Sequence, residues 1–221
     1  MMRVEGLTTA EQTEAAARSQ LYRLLANGFA FPDRAFFAAL GNGSYRREVE
    51  ETAQALPYAL DCTPDGLGAS GQYVDFQAEY LRLFEAAMGM PPCPLYSGLY
   101  RGGRKAVMEE LTRFYNFFGL SVEQGAGELP DHLTMELEFM HFLTFKELVA
   151  VHGGGDPAPY RRAQGDFLER QLTSWLPKLE ERLERLSPPP FYAALASLTS
   201  ALTHLEHAYV RELTSAVLEG T

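Results

Sequence analysis

The sequence predicts an all-α fold, a helical bundle of about eight to ten helices. Apolar residues recur at helical spacing in several segments, and no segment shows the convincing period-two alternation of a strand. Breaks rich in Gly and Pro divide these segments at short intervals. Short connections favour antiparallel packing over a solenoid, so we treat residues 1–221 as a single domain.

The first two helices have recognisable start and stop signals. Thr8 followed by Glu11 matches a capping box, which predicts a helix to about residue 26. Asp33 opens a shorter helix, which the Gly41-Asn42-Gly43 run ends.

Ser44 is the predicted cap of a third helix, and a Pro- and Gly-rich loop from about Pro57 to Gly71 follows it. The next segment, YVDFQAEYLRLFEAA, is predicted to be a helix because four of its residues share one helical face: Phe76, Tyr80, Leu83 and Phe84.

The stretch MGMPPCPLYSGLYRGG, residues 88–103, is too rich in Pro and Gly to predict a helix. A helix over RKAVMEELTRFYNFFGL and the Gly-containing link SVEQGAGE follow it. The helix after Asp131 should be buried along a stripe of five residues: Leu133, Leu137, Met140, Thr144 and Leu148. Two more helices are predicted, at 160–186 and 191–217, divided by SPPP.

Composition narrows the function classes. Hydrophobic residues make up 46% and charged residues 22%, which argues against long disorder. The net charge of −10 disfavours nucleic acid as a partner, because phosphate binding needs a basic surface, and it is compatible with a basic peptide. Cys62 and Cys93 lack a CxxC spacing, so a disulfide framework or a zinc knuckle is not expected.

Targeting signals are also missing from the sequence. The N-terminus lacks the basic segment and apolar core of a secretory signal. No apolar run approaches the roughly 20 residues that span a bilayer. We therefore expect a cytoplasmic protein without stable membrane insertion.

One alternative is a metal-dependent helical-bundle enzyme. Glu138 and His141 have the ExxH spacing that di-iron bundles use to place a carboxylate and an imidazole on one helix face. The chain has one such motif, and His204 with His207 has no evident third ligand. The opposing interpretation is that these are polar groups of amphipathic helices.

Other catalytic classes have weaker support. The sequence contains no GxSxG elbow and no GxxxxGK[ST] loop. Arg101, Arg104 and Lys105 could attract a phosphate at a helix start, but a solvated loop accounts for them as well. No complete catalytic constellation is evident in the sequence, and the metal-dependent alternative stays open at this point.

The loop from Met90 to Tyr100 combines prolines with two tyrosines. Pro92 and its neighbouring prolines stiffen the backbone. Tyr96 and Tyr100 have the large apolar faces and polar tips of peptide anchors. An equally good interpretation is that these rings seal the bundle.

The pair Asp131-His132 directly precedes the buried helix. Asp131 is predicted to cap that helix, because a carboxylate there can accept a hydrogen bond from a first-turn N–H and suits the positive helix end. Capping does not explain His132, whose protonation the adjacent carboxylate could tune.

The segments PPCPLYSGLY, RFYNFFGL and LPDHLTMELEFMHFL, together with the Tyr80-x-x-Leu83-Phe84 pattern, resemble one family in combination. They are similar to the TorD/DmsD/NarJ-type redox-enzyme maturation chaperones, most of all to the branch that serves type II molybdoenzymes of the dimethyl sulfoxide reductase family. The motif order covers about residues 73–148.

This resemblance implies an all-α cytoplasmic chaperone without catalytic turnover or a cofactor of its own. Such proteins bind the N-terminal segment of a catalytic subunit, often a twin-arginine signal, and delay export until the molybdenum cofactor is inserted. Monomer and domain-swapped dimer both stay open. The implied client-binding residues are Leu83, Phe84, Pro92, Tyr96, Tyr100, Pro130, Asp131 and His132.

The physical chemistry fits this implication. A basic and apolar signal peptide needs a receptor with acidic groups beside an aromatic and aliphatic groove. The expected sources of the acidic groups are Asp131 and the negative net charge, and those of the groove are Leu83, Phe84, Tyr96 and Tyr100.

Overall fold

The computed structural model describes residues 7–61, 66–85, 89–120 and 129–219, with side chains to residue 215. The all-α class is confirmed, and the number of helices falls in the predicted range. Whether the chain forms one domain stays a prediction. The helices are α1 (Ala10–Phe29), α2 (Arg34–Gly41), α3 (Ser44–Gln54), α4 (Tyr73–Phe84), α5 (Gly98–Arg101), α6 (Arg104–Phe117), α7 (Leu133–His152), α8 (Ala158–Phe167), α9 (Thr173–Glu184) and α10 (Pro190–Glu219).

Helix caps differ from the prediction by single residues. Thr9, not Thr8, caps α1, and its hydroxyl accepts a hydrogen bond from the backbone N–H of Gln12 at 3.2 Å. Asp33 caps α2 as predicted. The prediction for Ser44 was wrong because the cap of α3 is Gly43, whose φ of 73° suits a residue without a side chain.

Two predicted segments have a different internal structure. The loop at 88–103 contains the short helix α5, and the link at 121–128 lies outside the described residues. The single helix predicted at 160–186 is two helices joined by a π-helical turn, Leu168–Leu172. Pro177 lies inside α9, where it cannot donate a backbone hydrogen bond. Regular α-helical hydrogen bonding is therefore interrupted twice, by the π-helical turn before Thr173 and by Pro177 after it.

Helix α7 occupies the centre of the fold. All five residues of its predicted stripe are buried, which confirms that prediction. Helix α1 packs along α7, α8 packs on another side, and α10 packs against α8 and α9. Within the described ranges, no helix has both the length and the apolarity to cross a membrane.

Aromatic rings fill the space on both sides of this helical layer. Near α4, Phe76 stacks on Tyr192 with ring centroids 5.3 Å apart. Around α7, Phe139 contacts Tyr115 at 4.9 Å and Phe167 at 4.8 Å. These edge and stacked contacts attach α4 and α6 to the core.

A buried ionic cluster crosses the core between α1, α7, α8 and α10. Arg18 contacts Glu147 at 2.8 Å and Glu206 at 2.6 Å, and Arg161 contacts Glu147 at 2.7 Å. The Gln164 side chain joins both Arg18 and Glu147. Local sequence patterns do not predict this cluster, because its members come from distant helices.

Candidate functional site

Backbone hydrogen bonds join the Pro-rich loop from Met90 to Tyr100 to the start of α7. The N–H of Ser97 donates to the carbonyl of Asp131, and the N–H of Leu133 donates to the carbonyl of Leu95, both at 2.8 Å. Between these two bonds, Tyr96 and His132 form an antiparallel bridge. Two of the three segments that carry the predicted binding residues therefore form one local structure, and the third is α4.

Asp131 makes an ion pair below this bridge. Its carboxylate is fully buried and accepts from Arg104 Nε at 3.0 Å. The Arg104 guanidinium also lies over the Tyr96 ring, 4.8 Å from the centroid. A Cβ at Gly98 would lie 2.9 Å from the Asp131 carboxylate and 2.6 Å from the Arg104 side chain, so this packing requires glycine at position 98.

The residue that caps α7 is His132, which corrects the prediction for Asp131. The Nδ1 atom of His132 accepts from the N–H of Thr134 at 3.3 Å and lies 2.7 Å from the Thr134 hydroxyl. Its ring packs edge-on against Tyr96 at 5.0 Å. Asp131 lies one residue before the cap, where its carboxylate turns toward Arg104 instead of the helix.

Replacing His132 by Ala is expected to lower the free energy of unfolding by about 1 kcal/mol, because the first turn of α7 loses its cap. His132→Asn is the matched control, since Asn is a good cap and should retain most of this stability. Urea unfolding of both variants measures the difference. Equal destabilisation by Ala and Asn would contradict a capping role.

A buried carboxyl, Glu136, lies one turn into α7. Its Oε2 accepts from Trp175 Nε1 at 3.0 Å, while its Oε1 and the Ser97 hydroxyl have no partner that meets hydrogen-bond geometry in the described structure. Burial raises the pKa of Glu136 to about 8, against the smaller opposing effects of Ser97 and Trp175. The neutral form of Glu136 therefore prevails at pH 7. Because the folded state holds this proton more tightly than the unfolded chain, the contribution of Glu136 to the free energy of unfolding decreases as pH rises from the ordinary pKa of a carboxyl toward 8.

Tyr100 and Pro92 attach the other end of the loop to α9. The Tyr100 ring packs on Trp175 at 5.2 Å, and its hydroxyl lies 3.7 Å from the Cys93 thiol. Arg182 donates to the carbonyl of Pro92 and lies over the Tyr100 ring. Tyr96, Tyr100 and Pro92 are half-buried, so each retains some accessible surface.

The Leu-Phe motif, Leu83 and Phe84, does not form an open groove for a client. Leu83 and Phe84 are both buried, and Phe84 packs between Tyr80 and Tyr192 with both centroid distances at 5.1 Å. Pro130 is also buried, and its carbonyl accepts from the Tyr115 hydroxyl at 2.9 Å. In this conformation, these residues position the loop and α7 and do not present their side chains to a client.

The opposite face of α4 is apolar and exposed, which the sequence analysis missed. Val74 is 65% exposed and Leu81 is 44% exposed, with Ala78 between them at helical spacing. Phe31 is 52% exposed and packs edge-on against Tyr80 of the same helix. The signal was the apolar repeat at 74, 78 and 81, which is weaker than the repeat on the buried face.

The residues of the metal-enzyme alternative do not converge. Glu138 is exposed, whereas His141 Nδ1 lies 2.8 Å from the Ser19 hydroxyl and 2.9 Å from the Ser19 carbonyl. No group of three or more His, Cys, Asp or Glu side chains suited to a metal occurs in the part of the chain that the structure describes. The helices therefore give no support to that alternative.

Comparison with known proteins gives a family match over most of the site. Residues 43–181 match the family described as nitrate reductase delta subunit. This range includes α4, the Pro-rich loop, α7 and most of α9, and it contains all eight residues that the sequence predicted for client binding; Phe31 and Arg182 lie outside it.

Curated relatives are named as assembly chaperones. The chain is 36% identical to the perchlorate reductase assembly chaperone protein of Dechloromonas aromatica, over 87% of this chain and 90% of the relative. It is 33% identical to the dimethyl sulfide dehydrogenase assembly chaperone protein of Rhodovulum sulfidophilum, over 92% and 84%. It is 27% identical to the chaperone protein TorD of Vibrio parahaemolyticus, over 80% of each chain.

Proposed function

This chain belongs to the nitrate reductase delta subunit family and is an assembly chaperone, not an enzyme, and we propose that its client is the catalytic subunit of a type II molybdoenzyme of the dimethyl sulfoxide reductase family. The resemblance found in the sequence is confirmed by these relatives. The chaperone acts in the cytoplasm, binds the N-terminal region of the client and delays export until the molybdenum cofactor is inserted. The observation that carries the proposal is the family match over residues 43–181, which contain all eight predicted client-binding residues.

The exposed face of α4 supports a basic and apolar N-terminal segment as the ligand. Val74 and Leu81 offer accessible apolar surface, and burying it against a peptide is favourable at about 25 cal/mol per Å². Asp75 is exposed beside this stripe and makes no ion pair with a described residue, whereas Glu79 is already engaged by Arg82 at 2.7 Å. An apolar stripe with an available carboxylate beside it suits a peptide that has arginines next to an apolar run.

The candidate residues divide into two roles under this proposal. Leu83, Phe84 and Pro130 hold α4 and the start of α7 in place from inside. Tyr96, Tyr100 and Pro92 contribute accessible edges beside the bridge to His132. The peptide then contacts the exposed face of α4 and the loop from Met90 to Tyr100. Asp131 is buried and contributes by positioning Arg104, whose guanidinium lies over the Tyr96 ring.

Calorimetric titration with N-terminal peptides of candidate catalytic subunits from the same host tests the proposal. We expect saturable binding of the native peptide and weaker binding when both of its arginines are changed to Gln, because rim charges guide a basic ligand. Absence of binding to every candidate peptide and to every full catalytic subunit would overturn the proposed client.

A double substitution, Val74→Ser with Leu81→Ser, is expected to weaken peptide binding about tenfold, since central apolar contacts carry most interface energy. Both side chains are accessible, so the free energy of unfolding should change by less than about 0.5 kcal/mol per site. Val149→Ser is the matched control, because Val149 is a similarly exposed valine on α7. Equal weakening by the control would show that α4 does not make the contact.

A further inference from the structure

A cleft lies between α6, α8 and the π-helical turn, with a volume of about 480 Å³. Its floor and walls are aromatic and aliphatic, and its edges carry three arginines and two carboxylates. The residues around it are Glu110, Arg113, Phe114, Phe117, Phe118, Pro159, Arg162, Ala163, Asp166 and Arg170.

Phe117 is the most unusual of these residues, because 83% of its surface is exposed. It does not stand alone. Its ring packs edge-on against Phe118 at 5.1 Å, and both rings line the cleft together with Phe114, which is anchored on the buried ring of Phe167 at 5.3 Å. A contiguous apolar surface of this kind marks an interaction site more often than a single exposed side chain does.

The charges at the edge of the cleft favour an acidic partner. Glu110 is already engaged by Arg170 at 2.6 Å and by Arg101 at 3.5 Å. Arg113 and Arg162 are exposed and make no ion pair with any residue that the structure describes. Asp166, four residues after Arg162 on α8, is the lining carboxylate that remains beside them once Glu110 is engaged.

This basic character contrasts with the rest of the chain. Residues 98–117 and 158–172 together contain seven Arg and Lys against four Asp and Glu, a formal charge of +3 in a chain of −10. Five of these seven cations pair with carboxylates, which leaves Arg113 and Arg162 as the two without an ion pair to any described residue. Arg113 also lines a second cleft along α6, together with the paired side chains of Lys105 and Glu109. Beside the first cleft, α6 therefore exposes Phe117 and an unpaired Arg113, whereas the α4 stripe is apolar with an acidic neighbour.

We propose that the α6–α8 cleft binds a second segment of the client, an amphipathic stretch whose apolar side chains contact Phe114, Phe117 and Phe118 and whose carboxylates pair with Arg113 and Arg162. This inference rests on the proposed function, because it takes the client as the partner. A basic N-terminal peptide does not suit this cleft, so the two surfaces select segments of opposite charge.

Fluorescence anisotropy with two synthetic amphipathic helices tests this inference. Both probes have one Leu and Phe stripe, and the flanking positions are Glu in one and Lys in the other. We expect the full chain to bind the Glu probe at least tenfold more tightly than the Lys probe, with a preference that falls as salt rises. Phe117→Ser should weaken the Glu probe about tenfold, whereas Val149→Ser should leave it unchanged.

Charge reversal at the two arginines gives the decisive comparison. Arg113→Glu with Arg162→Glu should reverse the preference toward the Lys probe, because the apolar floor is retained and only the edge changes sign. Circular dichroism should remain helical, since both side chains are exposed. Binding of the N-terminal client peptide should also remain, which separates this inference from the proposed function.

Each of the following results would overturn the inference. Equal binding of the two probes would contradict selection by charge, and insensitivity to Phe117→Ser would place binding elsewhere. A dimer in light scattering that Phe117→Ser converts to a monomer would assign the cleft to a second copy of this chain.

Discussion

Replacing Arg18 by Met is expected to lower the free energy of unfolding by about 3–5 kcal/mol, because the change removes one partner of a buried ionic cluster. Arg18 is almost completely buried, and it donates to Glu206 Oε1 and Glu147 Oε2 at 2.7 and 2.8 Å. Without it, Glu147 retains Arg161 and Gln164, whereas Glu206 retains only the Tyr58 hydroxyl among the hydrogen bonds of the described structure. The loss of stability therefore comes mainly from Glu206, whose charge would stay buried without a cationic partner among the described residues.

Urea unfolding measures this effect, and Arg23→Met is the matched control. Arg23 lies on the same helix, but its pair with Glu48 is 3.4 Å long and solvent-exposed, so its loss should cost less than about 1 kcal/mol. Adding Glu206→Gln to Arg18→Met should restore part of the stability by removing the stranded charge. A cost near that of the control would show that the cluster does not hold α1, α7 and α10 together.

Replacing Phe84 by Ala is expected to lower the free energy of unfolding by about 3–5 kcal/mol, because it opens a cavity in the aromatic core. The Phe84 ring is enclosed by Tyr80, Tyr192 and Phe29, the last at 6.5 Å. Thermal and urea unfolding provide the measurement. Phe117→Ala is the matched control, since this exposed ring should contribute less than about 0.5 kcal/mol.

Phe84→Ala also shows whether Phe84 positions α4 from inside the core or contacts the client directly. At a temperature where Phe84→Ala stays folded, the N-terminal client peptide should bind with nearly the affinity of the unchanged protein. Stability close to that of the parent protein together with lost peptide binding would instead show that Phe84 leaves the core to contact the client.

Periodicity was sufficient to predict the central helix and the class of the fold. The stripe from Leu133 to Leu148 is buried because apolar residues at intervals of three and four lie on one face of any α-helix. Three predicted caps were each one residue away from the observed caps, which are Thr9, Gly43 and His132. Neighbouring polar residues or glycines compete for each helix start, so the sequence does not select one of them.

The candidate site was predicted as a set of residues but not as a surface. Leu83 and Phe84 share a helical face with Phe76 and Tyr80, and that pattern already favours burial over exposure. The pairing of Asp131 with Arg104 could not be predicted, because no local rule selects an arginine 27 residues away. The same holds for Arg18 and Glu206, which are 188 residues apart.

The backbone bonds at Ser97 and Leu133 close the intervening chain into a loop whose two ends are fixed at one point. Closing such a loop has an entropic cost that must be met before α6 can pack, so these bonds and the packing of α6 form cooperatively. We therefore expect α5 and α6, the two helices inside this loop, to open together when the two backbone bonds break.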